Sequence, residues 1–139
     1  MPSIFTRIID GELPGHFVWK DAHAVAFMTI QPIRPGHVLV VPRAEVDHWD
    51  DLPEETTRHL MQVSQRIAKA LKAAYPCERV AMMIAGFEVP HVHLHVTPAD
   101  SMGDMSFAKC RPAEADALKA EALKIRAALR AQHHAEAEF

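Results

Sequence analysis

The sequence predicts an α+β fold in which helices pack against a mainly antiparallel sheet. Apolar residues recur at the helical period of about 3.6 in some segments, and in others they alternate or form short β-branched runs. Along the chain these segments follow the order helix, strands, helix, strands, helix, which is typical of α+β domains. The length of 139 residues and the apolar content of 49% suit one compact domain with its own core. We therefore treat residues 1–139 as a single domain.

The first third of the chain predicts one short helix and three strands. Ser3 is a favourable N-cap for a helix over residues 4–9, and Asp10-Gly11 is a favourable end for it. Two β-prone runs at residues 17–20 and 24–29, joined by a short polar turn, predict a hairpin. A β-branched run at residues 37–41, which stops at Pro42, predicts a buried strand.

The rest of the chain predicts two long helices separated by a second hairpin. Apolar residues fall on one helical stripe from residue 53 to 75, and the same period returns over about residues 113–132. Between the helices, a buried run at residues 80–85 and an alternating run at residues 91–96 are joined by the short connection 86–90. We expect the last residues, 133–139, to be frayed.

The composition argues against several classes of protein. A formal net charge of -3 argues against a domain that coats nucleic acid. The two cysteines, Cys77 and Cys110, lie far apart, which argues against a disulfide framework or a four-thiolate zinc site. No run has the apolar length of a signal-peptide core or a membrane span. We therefore expect a cytoplasmic protein without nucleic-acid or membrane partners.

The most informative segment is residues 91–96, which read His-Val-His-Leu-His-Val. On a strand, alternate side chains share a face, so His91, His93 and His95 would form a row with a spacing of about 6.6 Å. Three interpretations are open at this point. The row could be an ordinary solvent-facing strand, it could bind a metal together with a ligand from elsewhere, or it could act on a phosphate. In the last case one neutral imidazole attacks phosphorus while its neighbours stabilise charge.

The same segment resembles the His-φ-His-φ-His-φ-φ motif of the histidine triad (HIT) family, with Thr97 at the last apolar position. The resemblance covers about residues 3–98 and includes Ser-Ile-Phe-Thr-Arg-Ile-Ile at 3–9, Glu-Leu-Pro at 12–14 and Pro-Gly-His at 35–37. It implies the HIT fold, with a five-stranded, mainly antiparallel sheet and helices, and a homodimer. It also implies hydrolysis or transfer at the α-phosphate of a purine nucleotide derivative through a covalent nucleotidyl-histidine.

Roles for single residues follow from the resemblance alone. His93 matches the nucleophile, and His95 matches the residue that contacts phosphate beside it. His91 matches the residue that orients the nucleophile, and His37 matches a fourth histidine that supports this network. The positions that line the purine-binding cleft are Phe5, Ile8, Leu13, Phe27 and Ile30.

This chain departs from the family pattern at several positions. Thr29 stands where the family often binds ribose through Asp or Asn. Glu88 lies in the loop before the triad, where it is either a solvated loop acid or a side chain at the phosphate site. At that site it would repel the phosphate or, if buried beside the leaving group, act as a general acid. Ser3 and Thr6 replace the Cys-x-x-Cys of zinc-binding members, and Glu45 replaces their later histidine, so we expect no structural zinc.

The resemblance thus implies a HIT-type nucleotide hydrolase whose substrate is a phosphoramidate, an adenylate or a dinucleoside polyphosphate. We expect no cofactor other than Mg²⁺ accompanying a polyphosphate substrate. Two alternatives remain open: a nucleotide-binding regulatory module with weak catalysis, and a metal-binding protein that uses the histidine row.

Overall fold

The computed structural model describes residues 1–139 as a five-stranded sheet with helices on both faces. The order of the strands in the sheet is β1-β2-β3-β5-β4, and every neighbouring pair is antiparallel. The predicted fold class and both predicted hairpins are confirmed. The strands are β1 (Phe17–Lys20), β2 (Ala24–Met28), β3 (Val38–Pro42), β4 (Arg79–Met83) and β5 (Leu94–Ala99).

Three α-helices, α1 (Ile4–Ile9), α2 (Glu54–Ala74) and α3 (Ala115–Ala131), lie close to the predicted bounds. Helix α1 begins as expected at Ser3, whose Oγ accepts a hydrogen bond from the Thr6 N–H at 3.0 Å. It ends before Gly11, which has a φ of +85°. No helix is both long enough and apolar enough to cross a bilayer.

The sheet buries apolar side chains on both faces, because alternate residues of a strand point to opposite sides. In β3, Val38 and Val40 belong to the main core beneath α2 and α3, whereas Leu39 packs with Phe5 of α1 on the other face. Along β5, Val96 faces the main core in the same way. The candidate site therefore lies on the α1 face of the sheet.

Strand β5 begins at Leu94, three residues later than the predicted start at His91. The register of β3 and β5 pairs Val40 with Leu94 and would place Val92 opposite Pro42. Proline has no N–H to donate to a neighbouring strand, so the ladder stops there. The Val92 N–H instead donates to the Val46 carbonyl oxygen at 2.8 Å.

The C-terminal segment packs against the sheet, so the expectation that it is frayed is wrong. His133 has a φ of 67°, which reverses the chain after α3. A short 3-10 turn, Ala135–Ala137, then lies against β1, where Ala137 is fully buried. The His134 ring packs 5.5 Å from the ring of Trp19.

Candidate active site

A cavity of about 720 Å³ opens on the α1 face of the sheet. This volume lies within the range of about 300–1,000 Å³ that is typical of small-molecule sites. Six of the seven positions that we expected to bind substrate line it: Phe5, Ile8, Phe27, Thr29, Ile30 and Glu88. Three of the four expected catalytic histidines also line it: His37, His93 and His95.

His93 presents a free ring nitrogen to this cavity. Its Nδ1–H donates to the His91 carbonyl oxygen at 2.7 Å, which fixes the proton on Nδ1 and leaves a lone pair on Nε2. No protein group is hydrogen-bonded to Nε2 of His93. Because every fully buried side-chain nitrogen in the structure has a hydrogen-bond partner, Nε2 is accessible, and it faces the cavity that His93 lines. Burial lowers the pKa of His93, while the hydrogen bond to His91 and the charge of Glu88 oppose that shift. His93 is therefore a neutral imidazole with a nucleophilic Nε2.

His37 and His95 form a chain of hydrogen bonds with a defined direction. The Ile33 N–H donates to Nδ1 of His37 at 3.0 Å, so neutral His37 carries its proton on Nε2. That Nε2–H donates to Nδ1 of His95 at 2.9 Å, which leaves the His95 proton on its own Nε2. Burial lowers the pKa of His37 to about 4 and, with the nearby imidazoles, that of His95 to about 3. Neutral His95 thus offers an N–H donor to the cavity, with its ring 5.0 Å from that of His93.

His91 lies behind this pair and does not line the cavity. It is fully buried, its Nε2–H donates to the Pro42 carbonyl oxygen at 2.8 Å, and its Nδ1 is bonded to Ser3 Oγ at 2.7 Å. The three imidazoles therefore do not form the single accessible row that the strand periodicity predicted. With both nitrogens of His91 engaged, they are not arranged as a three-ligand metal site, and no cluster of His, Cys, Asp and Glu in the chain has such an arrangement.

Ser3, Thr6 and Glu45 join His91 in a network at the start of α1. Glu45 Oε1 accepts the Ser3 N–H at 2.6 Å and the Thr6 hydroxyl at 2.7 Å, and Ser3 Oγ donates to His91. By the family resemblance, Ser3, Thr6 and Glu45 stand where zinc-binding members of that family carry their Cys and His ligands. A structural zinc ion prefers Cys and His ligands. It does not fit this network, which offers two hydroxyls, one carboxylate and an imidazole whose Nδ1 is already hydrogen-bonded.

Leu13 lies outside the cavity, whereas Glu88 lies at the cavity as expected but lacks the burial that one of its expected roles needs. Leu13 is half-buried in the turn after α1, where its N–H donates to the Arg7 carbonyl oxygen, and it does not line the cavity. Glu88 lines the cavity but is exposed. The burial that a general-acid role would need is absent.

The segment that follows β5 forms a wall of the cavity that the sequence did not predict. Phe107 and Cys110 line the cavity, and the Phe107 ring packs 4.8 Å from the ring of His95. The Ala113 N–H donates to the Ile30 carbonyl oxygen at 3.0 Å, which ties this segment to the loop after β2. The only local signal was a single aromatic residue in a polar connection, which does not reveal contacts with residues far away in sequence.

Helix α3 also fixes the turn that carries His37. The Gly36 N–H donates to Glu121 Oε1 at 2.7 Å, and Gly36 has a φ of +95°. A Cβ at this position would lie 2.9 Å from Cγ of Pro98, so both the conformation and the space require glycine. The position of His37 thus depends on a helix outside the region of family resemblance.

Comparisons with known proteins identify the relatives of this chain. Its sequence is 35% identical over 96 residues to the adenosine 5'-monophosphoramidase HNT1 of Saccharomyces cerevisiae, which covers 68% of this chain and 61% of that protein. The crystal structure of a Hit-like protein involved in cell-cycle regulation from Bartonella henselae, with an unknown ligand, is similar with a TM-score of 0.81. That protein is 31% identical, and the match covers 91% of this chain and 95% of the other.

A Zn-bound histidine triad family protein from Mycobacterium smegmatis is similar with a TM-score of 0.80 and 28% identity, over 96% of each chain. The sequence model of the HIT domain matches residues 10–102. This match includes the Pro-Gly-His segment and all three histidines of the triad. The chain therefore belongs to the histidine triad (HIT) family.

Proposed function

We propose that this protein is a nucleotide hydrolase that acts at the α-phosphate of a purine nucleotide derivative through a covalent nucleotidyl-His93. The observation that carries the proposal is the pair of ring nitrogens at the cavity. Nε2 of His93 has a free lone pair, and Nε2 of the neighbouring His95 carries a proton. A nucleophile beside a hydrogen-bond donor for the phosphate oxygens is what substitution at phosphorus requires.

In the first step, Nε2 of His93 forms a bond to the α-phosphorus while the bond from phosphorus to the leaving group breaks. The electron pair of the broken bond stays on the leaving atom, which takes a proton from water at the cavity mouth. The His93 ring becomes positively charged, and its Nδ1–H bond to the His91 carbonyl oxygen stabilises that charge. Water then attacks phosphorus, displaces His93 and releases the nucleoside monophosphate, with the proton of the water lost to solvent.

The histidines around the nucleophile act as neutral groups. Because burial holds the pKa of His95 at about 3 and that of His37 at about 4, both remain uncharged at neutral pH. The fixed direction of the hydrogen bonds from Ile33 through His37 to His95 keeps the donor of His95 aimed at the cavity. The donor therefore requires no reorientation as charge builds on the phosphate oxygens.

The apolar wall provides a place for the base. The Phe5 and Phe27 rings meet edge to face with centroids 5.5 Å apart, and Phe5 also lies 4.9 Å from the His93 ring. A flat purine packed on these rings would hold its phosphate near His93. Thr29, which also lines the cavity, is the side chain that we propose for the ribose hydroxyls.

The proposed reaction uses no metal in the protein. The engaged nitrogens of His91 and the neutral donor of His95 support chemistry in which imidazoles alone stabilise the phosphate. Mg²⁺ enters only as a companion of a polyphosphate substrate.

We also infer a homodimer. Strand β4 lies at the edge of the sheet with its outer side unpaired, and Met82 on this strand is 41% exposed. An open edge with exposed apolar residues favours pairing with a second copy. Sedimentation equilibrium tests this inference, and a strictly monomeric protein would contradict it.

The test of the catalytic proposal is His93→Ala with adenosine 5'-phosphoramidate as substrate. We expect wild type to release AMP and to show an adenylylated peptide containing His93 after rapid quenching in denaturant at alkaline pH, where the bond from phosphorus to the imidazole nitrogen is stable, and mass spectrometry. The variant should lose both, with unchanged circular dichroism. His48→Ala, which removes an exposed imidazole outside the cavity, is the matched control and should keep both. Turnover by the His93 variant at the wild-type rate, or tight nucleotide binding without any turnover by wild type, would refute the proposal.

A further inference from the structure

The charge of the cavity wall points to the kind of leaving group that the site accepts. Glu88 is the only Asp, Glu, Lys or Arg side chain that lines the cavity. Because the catalytic imidazoles are neutral, no fixed positive charge in the wall balances a polyanionic ligand. A chain of phosphates would have to enter without a single Lys or Arg to neutralise it.

Glu88 lies at the reactive part of the cavity. It belongs to the connection between β4 and β5, just before the triad. Burial is the largest cause of the pKa shifts of both His93, which it lowers, and the Cys110 thiol, which it raises. The negative charge of Glu88 raises the pKa of each of these two groups. The carboxylate is therefore close to two wall residues from different segments, one of them the nucleophile.

The Glu88 carboxylate also has no partner within the protein. It takes part in none of the ion pairs of the structure, and its side chain is exposed at the cavity wall. The leaving group of a nucleotide bound at His93 lies within the cavity, in line with the attacking nitrogen, and the wall of this cavity carries Glu88. An unpaired carboxylate there can bind a cation that enters with the substrate.

We propose that Glu88 selects nucleotide derivatives whose leaving group carries a positive charge, such as an amine-linked nucleotide with a second, free ammonium group. By the same charge it disfavours dinucleoside polyphosphates. The inference rests on the proposed function and narrows its substrate class. Repulsion between Glu88 and the α-phosphate is common to all substrates, so only the charge of the leaving group decides between them.

The experiment compares two adenosine phosphoramidates of equal length. One carries n-butylamine, and the other carries diaminopropane, in which a terminal ammonium replaces the methyl group. The readout is the ratio of kcat/KM for the cationic substrate to kcat/KM for the neutral substrate. Differences in the basicity of the two amines cancel when this ratio is compared between variants.

We expect the ratio to fall about threefold to fivefold in Glu88→Gln and about tenfold or more in Glu88→Lys, which is the range for a solvent-accessible charge pair. Diadenosine tetraphosphate should become a better substrate relative to the neutral phosphoramidate in the same order. At a salt concentration of about 1 M the wild-type ratio should approach that of Glu88→Gln, because the Debye length shrinks to about 3 Å. Glu55→Gln, which removes one exposed charge from α2 outside the cavity, should keep the wild-type ratio.

Equal ratios in wild type, Glu88→Gln and Glu88→Lys would overturn the inference while leaving the proposed function intact. Failure of wild type to process either phosphoramidate, with no adduct on His93, would instead overturn the proposed function. The two failures are therefore distinguishable within one set of assays.

Discussion

The buried histidine that begins the hydrogen-bond chain makes the stability of the protein sensitive to acid. His37 is 1% exposed, and burial lowers its pKa from 6.5 to about 4. Between these two values the unfolded chain binds a proton at this position and the folded chain does not. The contribution of neutral His37 to the free energy of unfolding is therefore fully present above pH 6.5, and it is lost as the pH falls toward 4. A shift of about 2.5 units corresponds to about 3 kcal/mol, at about 1.4 kcal/mol for each unit.

The test is His37→Gln, which does not titrate. A glutamine can accept the Ile33 N–H through its oxygen and donate to Nδ1 of His95 through its amide nitrogen. Urea unfolding followed by the fluorescence of the buried Trp19 gives the free energy of unfolding at each pH. Between pH 7 and pH 4 we expect wild type to lose about 3 kcal/mol more than the variant.

The variant His23→Gln controls for the loss of an imidazole that is exposed, and it should follow wild type at every pH. Every other titrating group is shared by wild type and His37→Gln, so the contributions of groups distant from His37 cancel in the difference. For His95, burial is the largest cause of its lowered pKa and is the same in both proteins. If the stability curves of wild type and His37→Gln are parallel, His37 is protonated to the same extent in the folded and unfolded states. The conclusion that buried His37 and His95 are neutral in the folded protein would then be wrong.

Three further outcomes are expected. His95→Ala should lower the single-turnover rate constant by about 10²–10³-fold, the usual effect of losing one donor to a developing oxyanion. An unchanged rate constant would remove His95 from the proposed mechanism. At Thr29, a single hydroxyl should give only a weak preference for adenosine over 2'-deoxyadenosine substrates. The measurement is the ratio of kcat/KM for the two substrates, and a preference of several orders of magnitude would assign ribose recognition to another residue. Gly36→Ala should lower the free energy of unfolding by about 2 kcal/mol because its Cβ meets Pro98 at a positive φ. Gly103→Ala should change this free energy little, because its Cβ would lie at an ordinary contact distance of 3.6 Å from Ser101 Oγ. Equal urea midpoints for the two variants would contradict this expectation.

Local patterns were sufficient to predict most of the elements. The Ser3 cap, the helical stripe of α2 and the apolar face of α3 each depend on residues near one another in sequence, and the structure has all three elements close to their expected bounds. The alternation at residues 91–96 also identified the correct faces, since Val92, Leu94 and Val96 do enter the main core.

The features that could not be predicted depend on contacts between distant segments. Strand β5 starts late because its partner strand ends in Pro42, a residue on the far side of α2 in the sequence. His91 leaves the cavity because Ser3 and Pro42 engage its two ring nitrogens. The Phe107 ring reaches the cavity through a connection that carries no periodic pattern, and it packs on His95. The bond from the Gly36 N–H to Glu121 joins residues 85 positions apart. A pattern within one segment does not carry such information.

Unfolding of the short helix α1 would disrupt the candidate site without unfolding the rest of the protein. A helix of six residues is not stable on its own, so α1 persists through its cap at Ser3 and through the packing of Phe5. The same serine holds His91, and the same phenylalanine flanks His93. Local unfolding of this one helix would therefore remove the proposed base-binding wall and the support for the proposed nucleophile together, while all five strands remain paired. The free energy of unfolding α1 alone, rather than that of the whole domain, would then set the fraction of molecules with an intact cavity wall.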